Sequence, residues 1–197
     1  MAGRQSSRSC RSRQLLPNPA GAHFLTDRRL IGQLVDASGI GQGDLVFDFG
    51  AGYGALTGPL AATGARVIAV EIDPALAGRL RRRFAAQPLV GVVEADLRRI
   101  PLPRRQFHVV ANPPFALTTW LCRRLLGDRT LRLIGAELLL EWGAAKWLAD
   151  PSPRDRETAS WMARYDIRLI NRVPAASFSP RPSADAAHVS ISRRAGL

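Results

Sequence analysis

Short apolar segments alternate with stretches of helical spacing from about residue 27 to residue 148, and that alternation leaves few folds open. Apolar residues recur with helical period over 27–38 (Leu30, Ile31, Leu34, Val35), behind a Thr26-Asp27 start signal. Leu45–Phe49 reads as a strand, followed by a glycine-rich turn and a helix through about Ala62. Residues 66–72 carry the Val and Ile that suit a pleated, buried position. Pro74 stands where a helix can begin, predicting a helix over 74–86. Strands follow over 89–94 and 107–111, a helix over 117–126, a strand over 131–140 and a helix from 141 to 148. Such a sequence predicts a parallel sheet covered on both faces. The end differs: after a helix over 158–165, strands over 168–173 and 188–192 are separated only by a Pro-rich loop. A connection of that kind suits an antiparallel pair. No internal repeat is evident.

At 197 residues the chain suits one well-buried domain. We expect a flexible basic arm over 1–21, where Arg4, Arg8, Arg11 and Arg13 stand among serines, and one catalytic domain over 22–197. A hydrophobic content of 46% with 22% charged residues excludes a disordered chain. No apolar run approaches the roughly 20 residues that cross a bilayer, so no membrane partner is expected. The segment over 131–140, interrupted by Arg132 and Glu137, reads instead as a buried strand. Cys10 and Cys122 make neither a disulfide framework nor a metal-ligand pattern, so the expected metal set is empty and the expected compartment is the cytoplasm. The charge is more informative. A net +12 is the footprint of a protein that meets a polyanion. Lys146 is the only lysine among 28 basic residues, a bias toward arginine that suggests a GC-rich coding sequence. Coding bias alone does not explain the excess over 16 acids.

Asp48-Phe49-Gly50-Ala51-Gly52-Tyr53-Gly54 follows a strand and opens a helix. Glycines such as Gly50 and Gly52 let the backbone turn sharply and approach a ligand without a clashing Cβ. The spacing alone fits several nucleotide-containing cofactors. Asp48 narrows the choice, because a carboxylate there would repel a pyrophosphate. Glu71 closes the next strand, 21 residues after Gly50, the separation at which a carboxylate can accept ribose hydroxyls. Asp96, in Glu94-Ala95-Asp96-Leu97, ends the third strand, where an adenine amino group would find an acceptor. The alternative for Asp96 is a cap on the following turn.

Asn112-Pro113-Pro114-Phe115 directly follows the strand over 107–111. An exocyclic amine on adenine is a poor nucleophile, because its lone pair is delocalised into the ring. Acceptors on both N–H groups pull the nitrogen toward tetrahedral geometry and free that pair. The Asn112 side-chain oxygen and the Pro113 carbonyl can be those acceptors, and the prolines stiffen the loop that holds them. Phe115 offers a flat face to a base that has left its stack.

With these motifs in order, the chain resembles the ribosomal RNA adenine-N6 methyltransferases, a family that includes macrolide-resistance methylases and small-subunit dimethyladenosine transferases. The likeness runs over residues 23–194. His23-Phe24-Leu25-Thr26 resembles the family's N-terminal Gln-Asn-Phe-Leu motif, and Phe178-Ser179-Pro180-Arg181-Pro182 its Phe-x-Pro-x-Pro segment. The resemblance implies an α/β, Rossmann-like, seven-stranded methyltransferase fold with a mostly parallel sheet and an antiparallel last strand. It implies S-adenosyl-L-methionine as cofactor, with His23, Leu25, Asp48, Gly50, Gly52, Glu71, Asp96, Leu97 and Asn112 around it. Asn112, Pro113 and Phe115 would be catalytic.

The implied activity is methylation of an adenine N6 in 23S ribosomal RNA, giving macrolide-type resistance. The implied partner is large-subunit RNA before full assembly, met by a monomer. His23 stands where Asn is usual, and Pro113 where Leu or Ile is usual. Asn-Pro-Pro-Phe is shared with DNA adenine-N6, RNA guanine-N2 and protein-glutamine methylases, so the nucleic-acid methylases among these stay open as alternatives. A non-catalytic RNA-binding relative and a hydride-transfer enzyme are the others. The sequence ends just after the last strand, like a short branch of resistance methylases without the C-terminal helical domain. RNA affinity would then come from the N-terminal arm, Arg81-Arg82-Arg83, Arg104-Arg105, Arg123-Arg124 or Arg181.

Overall fold

A computed structural model describes residues 22–153 and 155–196, so the arm expected over 1–21 and Cys10 lie outside the described residues. The strands are β1 (Phe24–Leu25), β2 (Leu45–Phe49), β3 (Arg66–Glu71), β4 (Val90–Glu94), β5 (Phe107–Ala111), β6 (Leu133–Glu141), β7 (Tyr165–Val173), β8 (Phe178–Ser179) and β9 (Ala186–Arg193). The helices are α1 (Arg28–Ser38), α2 (Thr57–Ala62), α3 (Pro74–Arg83), α4 (Thr118–Gly127), α5 (Trp142–Leu148) and α6 (Arg156–Arg164).

Seven strands form one sheet in the order β4-β3-β2-β5-β6-β9-β7. Only β9 runs against its neighbours, β6 and β7, and the remaining pairs are parallel. The antiparallel closure read from the sequence is therefore present. β2 is buried along its whole length, as a central parallel strand with both faces covered must be. Alternate residues divide the core. Phe47, Val109 and Leu138 face the side packed by α4, α5 and α6, whereas Val46, Val110 and Leu139 face the side packed by α1 and α2. Leu80 and Phe84 bring α3 against Ala69 of β3.

Local chemistry sets the helix starts. The Asp27 carboxylate accepts from the backbone N–H groups of Arg29 and Leu30, and Asp73 does the same for Ala75 and Leu76 ahead of Pro74. α3 stops at Arg83, three residues short of its expected end, because Phe84 leaves helical geometry to pack beneath the glycine loop. The pair β1–β8 is an addition: Phe24 and Leu25 run antiparallel to Ser179 and Phe178, tying the start of the domain to its last loop.

The chain leaves β2 toward β3 and β4, then returns to place β5 on the other side of β2. Such a reversal opens a crevice at the carboxyl ends of the strands, where ligands of open α/β sheets bind. One polar group is buried deep in the sheet, away from that crevice. Glu137 on β6 accepts from Ser190 Oγ at 2.8 Å and bonds His188 Nε2, both on β9. Glu137 and His188 are 4% and 2% exposed, so these bonds replace water entirely. Glu137→Leu would leave both donors unpartnered. It should cost about 3–5 kcal/mol in chemical denaturation, the range for breaking a buried pair from one side. A loss under about 1 kcal/mol would show that the group is not holding β6 to β9.

Candidate functional site

At the crevice, Gly50 N–H and Ala51 N–H donate to the Val70 carbonyl at 2.9 and 3.0 Å, folding the glycine loop back over the end of β3. Gly50 has φ +74°, and a Cβ there would press on Pro114 Cδ at 3.4 Å and on the Asn112 carbonyl at 3.5 Å. At Gly52, with φ +55°, a Cβ would overlap the Phe24 ring at 2.8 Å. Both positions therefore need glycine for conformation and for space.

A cleft of about 1100 Å³, its open mouth included, runs along this edge. His23, Gly50, Glu71, Asp96, Leu97, Asn112, Pro113 and Phe115 line it, which brings together most of the residues singled out in the sequence. Asp48 and Leu25 line an adjoining cavity that shares Phe24, Gly50, Tyr53 and Asn112 with the cleft. Gly52 lines neither; its N–H donates instead to Glu71 Oε2 at 2.8 Å. Glu71 Oε1 accepts from Asp73 N–H at 2.9 Å. Two backbone donors thus fix the carboxylate and leave acceptor capacity on each oxygen.

Asp48 is 1% exposed and accepts from Thr57 Oγ1 at 2.6 Å. Burial pushes its pKa up to about 7; the Thr57 bond opposes this, and the nearby Glu71 charge adds to it. Asp96 is the opposite case. The Arg98 guanidinium forks onto both carboxylate oxygens at 2.6–3.0 Å, and the Arg98 N–H adds a turn bond at 2.9 Å. These bonds hold the Asp96 pKa down to about 2. Asp96 thus caps its turn and also faces the cleft, with Arg98 as a partner that sequence spacing did not reveal.

Asn112 carries the most informative bond. Its Nδ2 donates to the His23 carbonyl at 2.7 Å, and since a carbonyl only accepts, the orientation of the amide is set. Asn112 Oδ1 is then buried without a hydrogen-bond partner among the described residues. His23 is held in turn: Nδ1 donates to the Pro180 carbonyl at 2.9 Å, and its ring lies 5.7 Å from that of Phe115. Phe178 meets Phe115 edge-on at 6.2 Å. Cys122, buried on α4 with its thiol pushed up to about 12 by burial, takes no part.

Of the arginines that sequence reading offered for polyanion contact, several are engaged. Arg81 pairs with Glu94 and Arg123 with Glu157, both at 3.0 Å. Arg83 donates to the Tyr53 carbonyl, and Arg124 to the carbonyls of Arg98 and Ile100.

This geometry has relatives. A family profile described as ribosomal RNA adenine dimethylase matches residues 18–197. An rRNA adenine N-6-methyltransferase from Bacillus licheniformis is 33% identical over 178 residues, which are 90% of this chain and 62% of that protein. The mycinamicin-resistance protein MyrB from Micromonospora griseorubida is 37% identical over 174 residues, 88% of this chain and 55% of that protein. This chain thus spans about three fifths of the length of these relatives. The crystal structure of the 23S rRNA methyltransferase ErmE matches with a TM-score of 0.80 at 28% identity, over 87% of this chain and 70% of that one. A dimethyladenosine transferase from Plasmodium falciparum, at 23% identity and a TM-score of 0.78 over 87% of this chain and 64% of that one, shares the fold. The chain belongs to the ribosomal RNA adenine dimethylase family, a family of S-adenosylmethionine-dependent methyltransferases.

Proposed function

We propose that this protein transfers a methyl group from S-adenosylmethionine to an adenine N6 in 23S ribosomal RNA, and that the modification confers macrolide-type resistance. The observation that carries the reaction is the buried, unpartnered Asn112 Oδ1 beside Pro113 and Phe115. An acceptor left bare in this way costs about 1–3 kcal/mol. That cost is recovered only when a donor arrives, so the site favours a substrate amine over an empty cleft. The names of MyrB and ErmE support the RNA target and the resistance role.

The donor, when bound, supplies a methyl on a positively charged sulfur, which needs no further activation. The residues of the chain do the rest. Glu71, fixed by two backbone N–H groups, accepts from ribose hydroxyls, and Asp96 accepts at the adenine end. Asp48 faces the amino-acid end. On the substrate side, Asn112 Oδ1 and the Pro113 carbonyl accept from the two N6–H groups of an extruded adenine. Phe115 stacks on its ring. The His23 carbonyl holds the Asn112 amide in place, so the acceptor is positioned before the base arrives.

Asp48 gives a pH-dependent test. Its folded pKa lies above the unfolded value near 3.8, so the folded state holds a proton that the unfolded chain has released. Ligand-free stability therefore falls as pH rises from about 4 to about 7 and then levels. Asp48→Asn should raise the ligand-free melting temperature at about pH 7.5, by roughly 2–4 °C for each kcal/mol relieved. The gap should close toward about pH 4. In calorimetric titration the same variant should bind S-adenosylmethionine about tenfold more weakly and lose the gain in affinity between about pH 6 and about 7.5. Unchanged affinity would remove Asp48 from the cofactor site.

Methyl-labelled cofactor incubated with naked 23S RNA, 16S RNA, intact subunits and duplex DNA, followed by primer extension, tests the substrate. Label at one adenine of 23S RNA is expected; label only in 16S RNA or DNA would overturn the assignment. Asn112→Ala should lower the transfer rate by at least about 10²-fold, the scale for removing one preorganised polar contact to a reacting group. Cofactor affinity and melting temperature should largely survive; a collapse of the fold instead would make Asn112 structural.

A further inference from the structure

The rim that carries the catalytic tetrapeptide continues across β6, and there one indole gathers two cations. Ala111 of β5 lies beside Leu138 of β6, so Trp142, four residues on, emerges at the same end of the sheet as Asn112–Phe115. Arg172 lies with its guanidinium carbon 5.0 Å from the Trp142 ring centroid, and Lys146 with Nζ at 5.6 Å. Three elements fix this arrangement. Trp142 N–H donates to the Asp185 carbonyl at 3.0 Å, and Arg172 Nε donates to Asp185 Oδ2 at 2.8 Å. The Glu141 carboxylate is spent on capping α5 through the N–H groups of Gly143 and Ala144.

Unlike Arg81, Arg123 and Arg168, which have acidic partners, Lys146 has none within ion-pair distance among the described residues. Arg172 spends only Nε on Asp185, which leaves its terminal nitrogens for another acceptor. Lys146 and Arg172 are both exposed, and Lys146 is the sole lysine of a chain with net charge +12. The segment between Arg172 and Asp185 carries the buried Phe178, whose ring meets Phe115 edge-on, so the support of the cation pair is tied to the wall of the proposed base pocket.

We propose that Lys146 and Arg172, held by Trp142, form a clamp for the sugar-phosphate backbone of single-stranded RNA flanking the target adenine. Cations resting on an indole keep their charge while losing conformational freedom, which suits a clamp that must hold a strand in register. An extruded base needs its flanking phosphates fixed, since those contacts position the strand while the pocket reads the base. The inference rests on the RNA substrate proposed above.

The test uses the full chain and a fluorescein-labelled single-stranded RNA, with anisotropy read over a salt series. Lys146→Gln combined with Arg172→Gln should weaken binding about tenfold and lower the salt slope by about 1.4, the release expected from two phosphate contacts on a single strand. Trp142→Ala should do the same in part. Because Trp142 also packs on the core, the surface double variant carries the result if Trp142→Ala fails to fold. Arg168→Gln, outside the clamp, should change neither quantity.

In methyl transfer the double variant should raise KM for RNA with little change in kcat, while cofactor binding is unaltered. Unchanged RNA affinity and slope in the double variant would overturn the clamp even if the wild type methylates 23S RNA. A clamp-dependent slope with no methyl transfer to any RNA would support the clamp and sink the functional assignment instead. Equal affinity of the wild type for polyglutamate would also overturn the clamp, by showing a general polyanion surface.

Discussion

Everything at the crevice depends on how the glycine loop closes over the end of β3. Gly50 and Ala51 share the Val70 carbonyl, and Gly52 reaches the Glu71 carboxylate one residue on. Three consecutive N–H groups are thereby satisfied by two consecutive residues of the neighbouring strand. The loop can make this turn only with positive φ at Gly50 and Gly52. Its path brings Gly50 against the backbone of Asn112 and Pro113, so the sides proposed for cofactor and substrate share one wall. A side chain at Gly50 would disturb both at once.

Two acids at the crevice, Asp48 buried and Asp96 partly exposed, show how environment divides one chemical group into different roles. Asp48 is met by the Thr57 hydroxyl and has a raised pKa, whereas Asp96 is gripped by an arginine fork and held near 2. The first is poised to gain from an arriving positive charge. The second stays ionised at any working pH and is fixed in direction. Glu137, which lines neither cavity and has two side-chain donors, spends its capacity on holding β9 to β6.

Much of this was legible because apolar runs and glycine positions are local signals. Each strand of the large sheet stood in the sequence as a short apolar segment, with edges displaced by a few residues; β7 begins at Tyr165 rather than 168. The gathering of His23, Glu71, Asp96, Asn112 and Phe115 along one cleft followed from strand ends meeting at a reversal of strand order. What escaped was non-local or too short to show periodicity. β1 and β8 are two residues each and exist only because they pair across more than 150 positions. Glu137 read as an interruption of an apolar strand, since its partners lie on β9. Arg98 showed nothing in its spacing of the fork it makes to Asp96, and several arginines offered as free cations are tied to acids or carbonyls.

The short β1–β8 ladder has a further consequence. Asn112 is held by the carbonyl of His23, and His23 is held by the carbonyl of Pro180, both just beyond the Phe24–Ser179 end of that ladder. The polar atom proposed to define the reaction centre is thus oriented by two strands of only two residues each. Segments with so few hydrogen bonds open at lower free energy than a seven-stranded core. Warming should therefore disarm the protein before it unfolds: the sheet and its crevice persist while the amide of Asn112 loses its heading. Heat resistance of the function would be set by about four residues at the domain's edge, not by the packing beneath them.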